Sequence, residues 1–488
     1  MMGEKVLEGK ALALHWRRTK IIATLGPATE SPALVEQLLA AGVDVIRLNL
    51  SHGSHDHHRR AVTLVRETAA RLGHHVAILM DLRGPKLRTG RFEQGAIQLV
   101  RGSRVLVTTR AVTGAPGLIP SQYRQLHRDV RRGERILLDD GRLELRVQSV
   151  EGRDIQCKVI HGGPLSDHKG MNLPDSRVSA PAFSAKDRED AALAVELEID
   201  FLALSFVRGA ADLKRLNRFL QGQGRLIPVI SKIERPEAVA NIDEILVHSY
   251  GIMIARGDLG IELPAEQVPL IQRELVEKAR QQSVPVIVAT QMLESMIDQP
   301  TATRAEVGDV ANAALMSADA VMLSGETAAG KYPLRAVETM DRVLREVERH
   351  QWEQGCFAPE PTADRSNKVY LLRESMAHAA MQLTRDLEIE AIVVPTRTGT
   401  TARIVAAHRP VSPTVGVCAK ASVCRLLALH WGIVPVQSTE EETQDWRRMC
   451  HHIASCCHLG KAGHDVLLVA GFHDDPARNE PSMKVLHL

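Results

Sequence analysis

The sequence predicts an α/β protein: a closed (β/α)8 TIM barrel, an all-β domain inserted after its third strand, and a separate α/β domain at the C-terminal end. Three observations carry this. Eight short apolar runs alternate with amphipathic stretches. Roughly between residues 89 and 187 the period changes to strict alternation. After the Pro-rich break "FAPEPTADRS" a second α/β alternation begins. A chain of 488 residues is also too long for one core, and length alone argues for about three domains.

The elements follow in order. "KIIATLG" (Lys20–Gly26) is the first run. The helix "SPALVEQLLAAG" comes next, with Ser31 as N-cap, Pro32 at the first helical position and Gly42 as the stop. "VIRLNL" (Val45–Leu50) and "VAILMDL" (Val76–Leu82) complete the first three strands. The insertion contains "IQLVRGSRVLVTT" and "RILLDDGRLELRVQSVEGRDIQCKVI", alternating strands joined at Asp-Asp-Gly and Glu-Gly turns. The barrel resumes with "FLALSF", "IPVISKI", "GIMIAR", "VPVIVAT" and "AVMLS". Apolar runs this continuous belong to parallel strands buried on both faces, and eight of them close most simply into a barrel. The last domain reads "EAIVVPT", "TVGVCA", "GIVPVQ", "DVLLVAG" and "MKVLHL". The expected boundaries are an N-terminal extension over 1–17, the barrel over 18–88 and 188–358, the inserted lid over 89–187, and the C-terminal domain over 359–488.

Composition narrows the function. Net charge is +2 and aromatic residues make up 3%, so neither a basic footprint nor a set of stacking platforms for nucleic acid is present. Seven cysteines, an odd number along a long chain, argue for reduced thiols rather than a disulfide framework. No apolar run is long enough to span a membrane, and "MMGEKVLEGKALALHWRR" is a poor signal peptide. A cytoplasmic protein is expected.

In such barrels chemistry collects at the C-terminal strand ends. Strand two ends with Arg47, Asn49, Ser51 and His52. Strand three ends with Asp81, Lys86 and Arg88. Strand five supplies Lys232 and Glu234, strand six Asp258, strand seven Thr290, and strand eight Ser324 and Glu326. Glu234 and Asp258 come from adjacent strands and form a carboxylate pair for Mg²⁺, which takes one or two carboxylates and leaves room for substrate oxygens. Arg47, Lys232 and the cation would then surround a compact anion. That suits phosphoryl transfer, where positioning and charge neutralisation do the catalysis.

Three stretches read as decoys. "GETAAGKY" (Gly325–Tyr332) nearly matches a P-loop but has Tyr332 where the metal-binding hydroxyl belongs. "CHHIASCCH" lacks paired C-x-x-C spacing and reads as a helix with Cys450, Ile453 and Cys457 inward. "HGSHDHHRR" reads as a helix start with a solvated polar face, leaving His52 as its one site candidate.

Together "KIIATLGPAT", "RLNLSHG", "MDLRGPKLRTG", "ISKIE", "ARGDLG", "ATQMLESM", "PTATRAEVGDVANA" and "SGETAAGKYP" resemble the pyruvate kinase family from about residue 18 onward. The resemblance implies phosphate transfer between phosphoenolpyruvate and ADP, giving pyruvate and ATP. It implies Arg47 and Lys232 at the transferring phosphate, with Glu234 and Asp258 holding Mg²⁺ (or Mn²⁺). The backbone of Ala255, Arg256 and Gly257 would hold the substrate carboxylate, and Thr290 would lie beside the enolate carbon. His52, Asn49, Arg88 and Lys186 would face the nucleotide. Relatives hold a monovalent cation with residues matching Asn49, Ser51, Asp81 and Leu82. Here Lys86 replaces the glutamate of K⁺-dependent relatives and Leu82 a threonine, so no K⁺ requirement is expected. Ala329 stands where many relatives carry lysine. The loop Thr396, Arg397, Thr398, Gly399, Thr400, Thr401 matches an effector pocket, so a phosphorylated sugar or nucleotide is the expected ligand and a homotetramer the expected assembly. Two other readings stay open on sequence: a metal-dependent lyase or aldolase acting on pyruvate, and a non-catalytic sugar-phosphate sensor.

Overall fold

The computed structural model describes residues 17–85, 87–355, 357, 368–387, 389–442, 445–456, 465–473 and 475–487. Lys86, Cys457 and nearly all of the N-terminal extension lie outside these.

Each of the eight apolar runs is a strand. They are β1 (Lys20–Leu25), β2 (Val45–Asn49), β3 (Ala77–Asp81), β4 (Phe201–Leu204), β5 (Val229–Ile233), β6 (Gly251–Ala255), β7 (Val286–Ala289) and β8 (Ala320–Leu323). They close into a parallel barrel in the order β1-β8-β7-β6-β5-β4-β3-β2. Alternate residues point inward, and Ile22, Val45, Leu79, Phe201, Ile230, Met253, Ile287 and Met322 fill the interior. The other face of each strand packs on the surrounding helices in a second, larger cluster. Local chemistry sets the helix ends as expected. Ser31 caps the first described helix by accepting from the Leu34 amide, Pro32 follows, and Gly42 sits past the end at φ +97°.

The insertion is antiparallel apart from one edge pair. A six-stranded sheet carries the hairpin Arg135–Leu138 and Leu143–Glu151, and a two-stranded pair joins Ala96–Leu99 to Gly163–Ser166. The Asp-Asp-Gly turn runs through three residues at positive φ: Asp139 (52°), Asp140 (56°) and Gly141 (82°). The C-terminal domain is a five-stranded sheet, β9 (Ala391–Pro395), β10 (Thr414–Cys418), β11 (Ile433–Gln437), β12 (Asp465–Ala470) and β13 (Ser482–His487), ordered β11-β10-β9-β12-β13. Only β13 is antiparallel to its neighbour.

The C-terminal domain closes the lower end of the barrel. Leu429 is fully buried among the barrel's interior residues, with Leu426 packed beside it. Lys20 Nζ donates to the Ile433 carbonyl at 2.8 Å, and Arg409 reaches the Ser317 carbonyl at 2.6 Å and Asp319 at 3.1 Å. No helix among the described residues is long and apolar enough to cross a membrane.

Candidate active site

The strand register brings the polar strand ends together. Thr24 pairs with Arg47, and Asn49 with Asp81, across β1, β2 and β3. Arg47 is buried and donates to Asp81 Oδ2 from Nε (2.9 Å) and Nη2 (2.7 Å), and from Nη1 to Thr24 Oγ1 (3.1 Å). Lys232 Nζ lies 2.7 Å from Glu234 Oε1 and 3.5 Å from Asp81 Oδ2, and donates to Ser205 Oγ at 2.9 Å. Burial opposes its charge, yet Asp81 and Glu234 outweigh that and raise its pKa, so the ammonium is held charged. Burial likewise opposes the Asp81 carboxylate, but Lys232 and Arg47 win and lower its pKa. Asp81 Oδ1 remains buried with no hydrogen-bond partner among the described residues.

Glu234 is almost completely buried, and its Oε2 accepts the Phe206 amide at 2.8 Å. Asp258 lies in the first turn of the helix Arg256–Glu262 that follows β6. Burial, then the charge of Glu234, push its pKa up to about 7 against the pull of Lys232. Two neighbouring buried carboxylates that repel each other are a donor set a divalent cation would relieve. Two carboxylates suit Mg²⁺, which keeps its remaining positions for water and substrate oxygens. The residues therefore fit the ion.

Thr290 follows β7 at φ +67°, with Gln291 at +54°. A β-branched residue there is held against its own preference. Arg256 supplies part of the hold. Its Nη2 donates to the carbonyls of Thr290 and Gln291, each at 2.9 Å, and its Nη1 lies 3.4 Å from Asp309. Its guanidinium is thus engaged by the segment that follows β7 and by Asp309. Gly257 N donates to Thr290 Oγ1 at 2.7 Å, so the hydroxyl and the helix's N-terminal amides share one spot.

A cavity of about 340 Å³ runs from this cluster under the inserted domain. Asp258, Glu262, Arg235 and Phe206 line it from the barrel, Asp140, Lys169 and Asn172 from the lid, and Arg88 from the connection between them. The lid is tied down by Asn172 Nδ2 donating to Glu262 at 3.1 Å, by Arg235 donating to the Leu173 and Ser176 carbonyls, and by Arg208 donating to the Val178 carbonyl. Arg88 Nη1 donates to the His168 carbonyl at 2.6 Å. His52 is exposed, and Asn49 Oδ1 accepts the Ser51 amide at 3.0 Å. Lys186 Nζ reaches Asp190 at 2.6 Å and His55 at 3.1 Å, next to the helix that follows His52. Sequence reasoning did not single out Thr24, Ser205, Arg235, Glu262 or Asn172. The ends of strands one and four were the place to find the first two.

In "GETAAGKY" the Glu326 carboxylate accepts the amides of Ser324 and Leu293, while Lys331 pairs with exposed Asp298. The carboxylate thus ties the start of this loop to the segment that follows β7, and the loop is no P-loop. Met449, Cys450 and Ile453 are buried on the helix Trp446–Cys456, and no metal-ligating cluster of three His, Cys, Asp or Glu occurs among the described residues. The histidine run departs from a solvated face. His58 is buried with Nε2 at 3.0 Å from the His52 carbonyl, and His55 lies 2.7 Å from Asp190, because the helix His55–Leu72 packs its first turn against the helix bearing Lys186. The expected effector loop joins β9 to the helix Thr400–Ala407. Gly399 is its N-cap at φ +89°, and the Gly399 amide donates to Thr396 Oγ1 at 3.0 Å.

Comparison with known proteins gives a consistent picture. The family model described as pyruvate kinase, barrel domain, matches residues 16–337, and that described as pyruvate kinase, alpha/beta domain, matches residues 374–486. A pyruvate kinase of Mycobacterium tuberculosis is 44% identical over 460 residues, covering 93% of this chain and 95% of that protein. One from Geobacillus stearothermophilus is 44% identical over 432 residues, covering 88% of this chain and 73% of that protein. The crystal structure of a pyruvate kinase from Cryptosporidium parvum superposes with a TM-score of 0.87 at 34% identity, covering 97% of each chain.

Proposed function

The chain belongs to the pyruvate kinase family and is a phosphotransferase, and from that premise we propose how its own residues divide the transfer from phosphoenolpyruvate to ADP. The observation that carries the reading is Lys232. It is an ammonium largely withdrawn from solvent and kept charged by Asp81 and Glu234, beside the carboxylate pair of Glu234 and Asp258. Arg47 and Lys232 bind the phosphoryl group and neutralise its charge as it migrates. Glu234 and Asp258 are the residues that hold Mg²⁺, or Mn²⁺ in its place. The ion, when bound, screens the phosphate and substrate oxygens as a Lewis acid. The main-chain amides of Ala255, Arg256 and Gly257 receive the substrate carboxylate at the start of a helix, where the backbone dipole favours an anion. Thr290 stands beside the enolate carbon and orders the route of its proton. His52, Asn49, Arg88 and Lys186 face the nucleotide, with the lid of residues 89–187 closing over it.

Two finer assignments belong to the same reading. The unmet oxygen of Asp81 calls for a cation. Lys86, five residues on in the chain, brings a tethered unit charge close in size to K⁺, in place of the ion that relatives hold with residues matching Asn49, Ser51, Asp81 and Leu82. The loop Thr396, Arg397, Thr398, Gly399, Thr400 and Thr401 binds a phosphorylated sugar or nucleotide effector in a chain that works as a homotetramer. Its hydroxyls and helical amides support this reading.

Coupled measurement of pyruvate formation tests the main assignment. Product should require ADP and a divalent cation, and pyruvate formation without ADP would overturn it. For Lys86, full activity is expected without K⁺ at constant ionic strength, and Lys86→Glu should create a dependence on added K⁺. Strong K⁺ activation of the unmutated protein would remove that assignment.

A further inference from the structure

A second cavity, of about 800 Å³, lies at the opposite end of the barrel from the transfer site. One wall is the helix Ala210–Gly222, whose Lys214, Asn217, Arg218 and Gln221 recur at helical spacing and so share a face. Facing them are Leu226, Pro228 and Val247, two of which are unusually exposed for their type: Leu226 at 63% and Val247 at 71%. The C-terminal domain contributes Arg403, from the helix Thr400–Ala407.

The electrostatics of this groove are one-sided. No carboxylate lines it. The side chains of Lys214 and Arg403 form no ion pair or hydrogen bond with any described residue, and the Arg218 side chain donates only to the Lys214 carbonyl at 3.2 Å. Arg403 Nε is buried and unmet. Elsewhere at this domain boundary Arg409 pairs with Asp319 and Arg425 with Asp200. Three unmatched cations over an apolar wall are the complement of a dianion with an apolar body.

The groove also touches a strand that leads to the transfer site. The Arg403 guanidinium carbon lies 5.6 Å from the centre of the Tyr250 ring. The Tyr250 hydroxyl is 2.8 Å from His430 Nε2, in the segment that seals the barrel with Leu429. Tyr250 immediately precedes β6, and β6 ends at Ala255, directly before the helix that carries Gly257 and Asp258. A ligand that draws Arg403 off the Tyr250 ring thus acts on the base of the strand whose tip holds the substrate.

We propose that this groove binds a small organic phosphate with an apolar body, held by Lys214, Arg218 and Arg403, and that binding is transmitted through Tyr250 to the tip of β6. The site is separate from the Thr396–Thr401 loop, and its binding half does not depend on the catalytic reading above.

Phenyl phosphate serves as a probe, with inorganic phosphate as its headgroup control. Calorimetry on the full chain is done with phosphoenolpyruvate and Mg²⁺ saturating, so that the transfer site is filled. One phenyl phosphate per chain is expected, bound more tightly than phosphate alone. The double variant Lys214→Glu/Arg218→Glu changes exposed positions only and should weaken it by about tenfold or more, as two reversed charges require. Thr398→Glu should leave it intact. No detectable binding at millimolar probe, or affinity unchanged in the double variant, overturns the site. Loss in Thr398→Glu alone reassigns the binding to the loop and also overturns it. For transmission, the probe should shift the apparent half-saturation for phosphoenolpyruvate, and Tyr250→Phe should abolish the shift while binding persists. An equal shift in Tyr250→Phe overturns the coupling.

Discussion

Lys232 and Asp258 carry opposite electrostatic problems in one cluster, and each yields a measurable outcome. Lys232 is charged because two carboxylates hold it so. Lys232→Met should lower turnover by about 10²–10³, the usual cost of losing a group aimed at developing charge. Exchange of the methyl protons of pyruvate, which the proposed reading assigns to the metal and the surroundings of Thr290, should fall far less, and equal losses would contradict the division of roles. Asp258 has its pKa raised to about 7. A metal must displace that proton, so apparent Mg²⁺ affinity should climb as pH rises toward about 7 and level off above it. Calorimetry in buffers of different ionisation enthalpy should show up to one proton released per ion bound at pH 6 and little at pH 8. The same shift makes the metal-free protein bind more protons folded than unfolded between the usual aspartate range and 7, so this carboxyl lowers stability as pH rises through that window. At this scale the charged members of the site were legible, because a Lys or Asp ending an apolar strand is conspicuous. Thr24 and Ser205 were not, since a neutral hydroxyl at a strand end leaves no mark in composition. Glu262 and Asn172 lie 90 residues apart in the chain, and only the docked lid brings them together.

The elements were easier to read than their attachments. All eight barrel strands and all five C-terminal strands coincide with apolar runs; strands buried on both faces leave no polar interruption, and the two C-terminal edge strands, β11 and β13, stay readable although they are only partly buried. The short helix Arg256–Glu262 was invisible, since "ARGDLG" has neither the length nor the period of a helix. Its first residue, Arg256, is anchored to the carbonyls that follow β7. Replacing Arg256 with Lys keeps the charge but loses the planar fork. It should reduce turnover while leaving the circular dichroism spectrum and melting temperature close to those of the parent, and unchanged turnover would show that this clamp is dispensable. The segment Leu426–Trp431 is a second attachment. Burial, then the charges of Arg403 and Arg409, hold the His430 pKa well below its ordinary value. A histidine buried neutral binds fewer protons folded than unfolded, so stability is intact above the ordinary histidine range and is lost as pH falls through about 6.5. His430→Gln should flatten that acid limb of the thermal melt relative to the parent. An unaltered limb would assign the acid sensitivity to other histidines, such as His58 and His75, whose pKa values burial also lowers.

Across the whole molecule, chemistry sits where separate cores meet. The lid core and the barrel core are distinct clusters, and the cavity over Asp258 exists only where they face each other. Weakening one tie, as in Asn172→Ala, should raise amide exchange in the lid strands and the half-saturation for ADP, with little change in global melting. The domain order was readable because composition changes at each junction; which surfaces dock was not, because docking residues such as Arg235 and Lys20 look like ordinary surface charges in sequence. Leu429 shows what docking implies for the origins and re-use of this architecture. It is a side chain of the third domain, yet it completes the packed interior of the first. Leu429→Ala should therefore cost about 2–5 kcal/mol and loosen the barrel rather than the domain that encodes it. A gene fragment stopping before the C-terminal domain would leave an unplugged apolar floor and is expected to aggregate on expression. The barrel is consequently no interchangeable cassette. Any recombinant exchange of C-terminal domains among relatives must bring a matching stopper, which confines successful chimaeras to partners whose plug and socket share one shape.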